Sequence, residues 1–372
     1  MSHEREGRTC CCSGCVLRLI TLAAVAIVAG VWGLQRYPGE DWWLGALVTW
    51  GPQAQWIIPP ALALVLTAAA REGRLTLINL AATAVALFVL AGFEINWGPD
   101  VPEGRPIVRV ATWNVHGRTE DRQTVRDRIL NWDCDVVCLQ EAGRRAFNDL
   151  LPGYEDARAR DLRVFVRGRI RGHEVIRTER HRVHPLLRVE AEIGGQPLTV
   201  IALHIPRVRR SRRMPREVGP LAEYLREGRQ VREEKFAHLL EVLPEEGPLL
   251  VAGDMNTPPT SRYWRSVDAH LTDAFEAVGR GFGFTFVWRR RLPMLRIDYV
   301  WAGGRITPVR CWVETAVPSD HRPVLAEVAL PAADEAPVMV HSTAKPPVQR
   351  LRTLLSVRRL PLSGWKPDLR EG

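Results

Sequence analysis

Residues 249–256 read Leu-Leu-Val-Ala-Gly-Asp-Met-Asn, and this pattern constrains the chain more than any other. A short apolar run bounded by turn residues predicts a buried strand, and Gly253 lets the backbone come close to a ligand. Asp254 and Asn256 are thereby delivered to the strand's exposed end. Asp and Asn also close ordinary turns, so the stretch alone does not define a site. The layout recurs, however. Asn114 follows the apolar run 107–111, Glu141 follows 136–140, His204 follows 198–203, Asp298 stands beside 299–301, and Asp320 precedes His321.

The chain of 372 residues is 46% hydrophobic, but that share is unevenly spread. Three apolar stretches occupy the first quarter, at 16–34, 54–70 and 75–93. A helix over the first would extend roughly 28 Å, close to the hydrocarbon thickness of a bilayer. Pro59 and Pro60 are expected to kink the second, and Asn79 in the third is tolerable against another helix. Three membrane helices are therefore expected over 16–97, after a cytoplasmic tail at 1–15. Arg5, Arg8 and Arg18 precede the first span, and Arg71 and Arg74 separate the second from the third. By the positive-inside rule both regions are cytoplasmic, which puts everything after Phe93 outside. Trp42, Trp43, Trp50, Trp56 and Trp97 fit an interfacial belt, with ordinary packing as the alternative.

Cys10, Cys11, Cys12 and Cys15 crowd the start of the first span, but no histidine cluster or second cysteine pair completes a zinc site. A juxtamembrane sequence with no specific metal role is expected, with acylation beside the membrane as the alternative. Cys134, Cys138 and Cys311 read as small core residues.

Residues 98–106, rich in Pro and Gly, read as a linker. Short β-type runs at 107–111, 136–140, 198–203, 249–252, 297–301 and 322–329 alternate with polar helices and turns, which predicts an α+β domain over 107–330. Val231, Phe236, Leu239, Leu240 and Leu243 give residues 229–243 one apolar face, so a helix is expected before the Gly-Asp-Met-Asn segment. Residues 331–372 mix Pro, small and basic residues and are expected to be a basic, disordered tail.

The formal net charge is +9, carried almost wholly by Arg. Arg207, Arg209 and Arg210, with Arg212, Arg213 and Arg216, form a basic loop after His204 that would attract phosphate. Nucleic acid, an anionic lipid headgroup and plain solvation remain open for that loop. It lacks the interleaved aromatics of a single-strand binding surface. A second cluster, Arg289–Arg291, precedes Leu292, Pro293, Met294 and Leu295 and could touch both headgroup and apolar chain.

Six ordered segments carry a resemblance: Ala-Thr-Trp-Asn-Val-His-Gly at 111–117, Cys-Leu-Gln-Glu-Ala at 138–142, Ala-Leu-His at 202–204, Val-Ala-Gly-Asp-Met-Asn-Thr at 251–257, Arg-Ile-Asp-Tyr-Val at 296–300 and Ser-Asp-His-Arg-Pro-Val at 319–324. Together they make residues 107–330 resemble the catalytic domain of the endonuclease/exonuclease/phosphatase superfamily. The resemblance implies a four-layer αββα sandwich with a metal-dependent site at one edge of its sheets. Three spans followed by this domain also resemble the bacterial membrane-bound branch that includes a teicoplanin-resistance protein. One departure is visible. Relatives often carry a Ser-Arg strand after the glutamate motif, whereas 162–167 reads Leu-Arg-Val-Phe-Val-Arg, which bears on the phosphate pocket and not on the metal and water groups.

Phosphate ester hydrolysis needs charge neutralisation, an oriented water and help for the leaving group. Glu141 suits a hard cation, Mg²⁺ or alternatively Mn²⁺, and Asn114 can add an amide oxygen. Asp254 can orient or deprotonate water, with Asn256 holding it or a phosphate oxygen. Asp298 can fix the tautomer of His321. The resemblance makes His321 essential, places Asp320 in the metal environment, and favours a catalytic role for His204 at a phosphate oxygen. His116, Thr257, Arg207, Arg209 and Arg210 are expected at the substrate, although Thr257 before two prolines could simply define its loop.

The expected activity is that of a membrane-anchored, extracytoplasmic metal-dependent phosphohydrolase or phosphodiesterase. Its expected substrate is a lipid-linked or envelope phosphate ester at the bilayer, and no dedicated protein partner is implied. A Mg²⁺-dependent nuclease and a noncatalytic membrane interaction protein are the alternatives.

Overall fold

The structure is a computed structural model describing residues 3–37, 39–99, 103–116, 122–143, 151–177, 184–205, 218–289, 291–315 and 319–332, with Glu335 and Val340. The loop with Arg207, Arg209 and Arg210 lies outside the described residues, as does nearly all of the expected tail.

Twelve strands build two facing sheets. In chain order they are β1 (Ile107–Asn114), β2 (Val136–Gln140), β3 (Glu155–Ala159), β4 (Leu162–Val166), β5 (Arg169–Ile176), β6 (Leu186–Ile193), β7 (Gln196–His204), β8 (Leu249–Asp254), β9 (Thr272–Asp273), β10 (Asp298–Gly303), β11 (Thr307–Val313) and β12 (Val324–Ala329). One sheet runs β11-β12-β1-β2-β4-β3 and the other β9-β10-β8-β7-β6-β5. Each has a parallel pair at its centre, β1 with β2 and β7 with β8, while its other pairs are antiparallel. Parallel neighbours need a crossover, supplied here by the helices Arg122–Trp132 and Val218–Glu241.

Alternation along the strands explains the layering. In β8, Leu250 and Ala252 enter the core between the sheets beside Val110, Val200 and Val300, while Leu249 and Val251 face the other way, against Phe236, Leu239 and Trp264 of the covering helices. On the opposite outer face, Ala111 and Trp113 pack against Val125 and Ile129, spaced four apart on their helix. Central strands buried on both faces read as continuous apolar runs, which is why 136–140 is predicted with the limits observed. The predicted helix 229–243 is the later part of one that starts at Val218 and ends at Glu241.

Gly253 is required for a packing reason that the sequence does not show. Its φ is +152° and a Cβ there would lie 2.0 Å from Leu203 O on β7, so the glycine lets two central strands close just before Asp254.

The first quarter forms helices at His3–Arg36, Trp43–Trp50, Ile58–Ala69 and Gly73–Val85, the last ending in a π-helical turn at Ala86–Leu90. Two stretches, Gly14–Arg36 and Gly73–Leu90, are long and apolar enough to cross a membrane, and Gln53–Ala69 is a shorter apolar one. The second stretch opens with a 3-10 segment at Gln53–Ile57, and with that segment included it is still the shorter one. Pro59 and Pro60 sit in the first turn of the helix that follows instead of kinking its middle, where a missing N–H breaks no hydrogen bond. The bundle buries polar side chains beside a small apolar cluster and turns large apolar ones outward. Asn79 Nδ2, fully buried, donates to Thr21 Oγ1 at 2.9 Å, while Leu19, Leu22, Leu62, Val65 and Leu77 are exposed.

Bundle and sandwich touch beside β8. Glu40 accepts hydrogen bonds from Ser261 Oγ (2.8 Å) and Arg262 N (3.1 Å), and Asp41 pairs with Arg229 and Arg262. Thr260 Oγ1 donates to Thr49 O at 3.0 Å, and Arg232 stacks 3.9 Å from the centre of the Trp50 ring. Elsewhere Glu335 pairs with Arg105, and Val340 N donates to Glu245 O.

Candidate active site

Parallel strands end together, so the two central pairs present their last residues at one edge of the sandwich, where open sheets usually carry their ligands. Asn114 ends β1, Glu141 follows β2, His204 ends β7 and Asp254 ends β8. His204 and Asp298 are the strand-register partners of Asp254 on either side. His321 joins them from the loop before β12. Its main chain is fixed by Ser319 Oγ, which accepts from His321 N, and by Trp113 Nε1, which donates to His321 O.

Asp254 is almost fully buried and is the hub. Oδ1 accepts from Asn256 N at 2.8 Å, and Oδ2 accepts from Asn256 Nδ2 and Asn114 Nδ2, both at 3.0 Å. Two imidazoles face the same Oδ2, His204 Nε2 at 3.7 Å and His321 Nε2 at 3.9 Å. Each imidazole is held from behind by a carboxylate, which fixes its tautomer and favours its charged form. Asp298 lies 2.9 Å from His321 Nδ1, and Asp161 lies 2.8 Å from His204 Nδ1. Burial alone would lower the pKa of His321, but the charges of Asp298 and Asp254 outweigh it and raise it to about 9. Burial is likewise outweighed at His204, by its hydrogen bond to Asp161 and the charge of Asp254, and its pKa is raised.

Glu141 and Asp320 border the site on its open side, flanking His116 Nδ1 at 4.0 and 3.5 Å. Asp320 Oδ1 is buried and accepts no hydrogen bond, a costly state for a carboxylate oxygen without a cation. Glu141 and Asp320 therefore fit a hard divalent ion. A second acidic group, Asp254, Asp298 and His321, also has ligand atoms within 4.8 Å of one another. There, Asp298 already holds His321 Nδ1, and Asp254 accepts three hydrogen bonds from Asn256 and Asn114. Asn114 lies between these groups: its Oδ1 accepts from His116 N, and its Nδ2 faces Asp254 and Glu141. In this arrangement it donates to the carboxylates, and one lone pair of its Oδ1 is taken by His116 N. Thr257 is fully buried and its hydroxyl donates to Met255 O, so it shapes the loop.

Asp161 was not singled out in the sequence. It sits in the β3–β4 turn, 43 positions from His204, and a lone Asp in a turn carries no pattern that points to a distant imidazole.

A sequence profile of the endonuclease/exonuclease/phosphatase family matches residues 111–321. The chain belongs to this family. Members hydrolyse phosphoester bonds and use divalent metals. Similar solved structures include an endonuclease/exonuclease/phosphatase from Beutenbergia cavernae DSM 12333 (21% identity, 62% of this chain and 74% of that one, TM-score 0.47). Truncated Caenorhabditis elegans TDP2 shows 20% identity over 60% of this chain and 98% of its own, with a TM-score of 0.48. An AP endonuclease from Archaeoglobus fulgidus shows 16% identity over 59% and 98%, with a TM-score of 0.46. No curated protein matches the chain.

Proposed function

We propose that this family member is a membrane-anchored phosphoric ester hydrolase acting on a lipid-linked or envelope phosphate ester outside the cytoplasm. One observation carries the reading: the loop that follows Asp254 and Asn256 is fastened to the apolar bundle, through Thr260 to Thr49 and Ser261 to Glu40. The reacting edge is thus held within a few residues of the bilayer boundary. A bundle with Asn79 buried against Thr21 and leucines turned outward is the arrangement expected in lipid. The arginines at 5, 8, 18, 71 and 74 support a cytoplasmic N-terminus. The hairpin of Phe286–Trp288 and Leu292–Leu295 adds exposed Trp288 and Leu292 beside Arg289 and Arg291, suited to headgroup and chain together.

In the mechanism, Asp254 takes the proton of, or aligns, the attacking water, with Asn256 fixing the carboxylate. His321 and His204, held charged by Asp298 and Asp161, donate hydrogen bonds to the phosphoryl oxygens as negative charge develops. A divalent ion, Mg²⁺ or Mn²⁺, at Glu141 and Asp320 would supply further charge neutralisation. His116 lies at the mouth, and the arginines at 207, 209 and 210 are proposed to draw in the anionic headgroup.

A nuclease is the second reading. It is favoured by a broad groove of about 800 Å³ lined by Arg280, Arg310 and Arg322 with Trp97 and Trp312, which holds none of the catalytic side chains and approaches them only through Arg322, next to His321. A Mg²⁺-dependent activity panel separates the two: undecaprenyl phosphate and pyrophosphate, phospholipids, soluble phosphate esters, DNA and RNA, with Asp254→Asn as the contamination control. Hydrolysis of nucleic acid alone replaces the lipid reading by the nuclease one. Inactivity on the whole panel under several metals favours a noncatalytic interaction protein.

A further inference from the structure

His184 stands outside the hydrolytic machinery, yet it is placed with care. It stands just before Pro185 and β6, and its carbonyl accepts a hydrogen bond at 2.8 Å from Lys235 Nζ, a buried amine on the long covering helix. Its ring meets that of His204 edge to face, centroids 5.5 Å apart. The Nδ1 atom of His184 is buried and has no hydrogen-bond partner. A buried imidazole nitrogen left bare costs free energy, and such an atom is what a metal ion would satisfy. The third member is Asp161, whose turn is tied to the catalytic edge because Ala142, next to Glu141, donates its N–H to Asp161 O at 3.0 Å.

Asp161, His184 and His204 each offer a ligand atom, and these atoms lie within 4.8 Å of one another. We propose that they form a second ion site, separate from the Glu141 and Asp320 edge, which takes a borderline transition-metal dication of the Zn²⁺ class and thereby withdraws His204 from catalysis. Two imidazoles and one carboxylate with room for water is a donor set that suits Zn²⁺ and its neighbours. Mg²⁺ prefers oxygen donors throughout, so the two sites differ in the ion they select. Binding needs modest side-chain rotation, because metal bonds of about 2.0–2.2 Å bring ligand atoms closer than they now stand. The ion takes the place of the proton shared between Asp161 and His204 Nδ1, and that proton leaves to solvent. His204 then loses the carboxylate that keeps it a charged donor. His184 and the Asp161 side chain are each partly exposed, which leaves an entry path.

The test uses the full chain in detergent micelles with saturating Mg²⁺. Equilibrium dialysis against Zn²⁺ should find one more ion per chain in the wild type than in His184→Ala or His184→Gln, and X-ray absorption should show two imidazole nitrogens on that ion. Equal ion counts in wild type and both variants would overturn the site. Zn²⁺ should lower the Mg²⁺-supported turnover of the wild type at least 10-fold and leave both His184 variants near their metal-free-of-zinc rate. Equal inhibition of all three forms would overturn the link to His204. The dialysis and absorption measurements need no substrate, so they stand apart from the proposed hydrolysis.

Discussion

Asp298 grips His321 with both carboxylate oxygens, 3.1 and 2.9 Å from Nδ1. The ring is thereby turned so that Nε2 points to Asp254, 3.9 Å away. Asp298→Asn keeps the shape but removes the charge that favours the imidazolium. Turnover should fall about 100-fold or more, with substrate binding little changed, since the lost interaction serves the transition state. Single-turnover rates beside a binding titration check this, and a defect confined to binding would contradict the role.

The same pair makes stability depend on pH. His321 has its folded pKa raised from 6.5 to about 9 by Asp298 and Asp254, against the opposing effect of burial. A raised folded pKa means that the stabilisation is fully present below about 6.5 and is lost as pH climbs through about 9. In metal-free buffer the melting temperature should therefore decline between those limits. His321→Gln should flatten that decline, and a wild-type curve parallel to the mutant's would count against it.

Glu141 is expected to matter through the ion. Glu141→Gln retains size and hydrogen-bonding capacity but offers a hard cation no charge. Mg²⁺-stimulated turnover should drop about 100-fold or more, and the Mg²⁺ concentration for half-activation should rise. Circular dichroism should match the wild type, because Glu141 lies at the open edge and not in the core. Unchanged activation by Mg²⁺ in a folded variant would remove Glu141 from the metal site.

Gly253 offers a purely structural test. A Cβ at this position would collide with Leu203 O, Leu203 C and Leu203 N on the parallel neighbour, and the φ of +152° is strained for any L side chain. Gly253→Ala should cost about 3 kcal/mol, read as a lower midpoint in urea. It should also cripple activity, since the displaced strand carries Asp254.

What could be read in the sequence and what could not follows from how local the signal is. Asn114, Glu141, His204 and Asp254 are legible because each stands at the end of an apolar strand, and His321 because it shortly precedes one; strands buried on both faces write themselves as uninterrupted runs. Edge strand β5 is not legible: Arg169–Ile176 interleaves Arg, Gly, His and Glu with few buried positions, so no periodicity marks it. Asp161 is invisible for a different reason, its meaning coming entirely from His204 across the fold. The side-chain hydrogen bonds of Asn114 are not legible either, because only the fold brings His116 N to its Oδ1 and Asp254 to its Nδ2.

The last prediction concerns the side of the membrane. Gln35 Nε2 donates to Gln53 Oε1 at 2.8 Å, and Val28, Val31, Ala86 and Leu90 cluster together. The end of the first helix, the start of the third and the end of the fourth are therefore neighbours. The chain leaves this end toward the sandwich, and Glu40 and Asp41 contact the sandwich from it. The turn holding Arg71 and Arg74 lies at the opposite end of the paired helices Ile58–Ala69 and Gly73–Val85. If the bundle spans the bilayer, those arginines and the catalytic edge face opposite compartments, and the positive-inside rule assigns the arginines to the cytoplasm. In intact cells, a cysteine introduced at Arg71 should resist an impermeant thiol reagent while one at Arg291, on the exposed hairpin, should react, with the native cysteines replaced by serine. Labelling of both from one side would defeat the spanning arrangement, and the reverse pattern would place the hydrolytic site in the cytoplasm and remove envelope compounds from its reach.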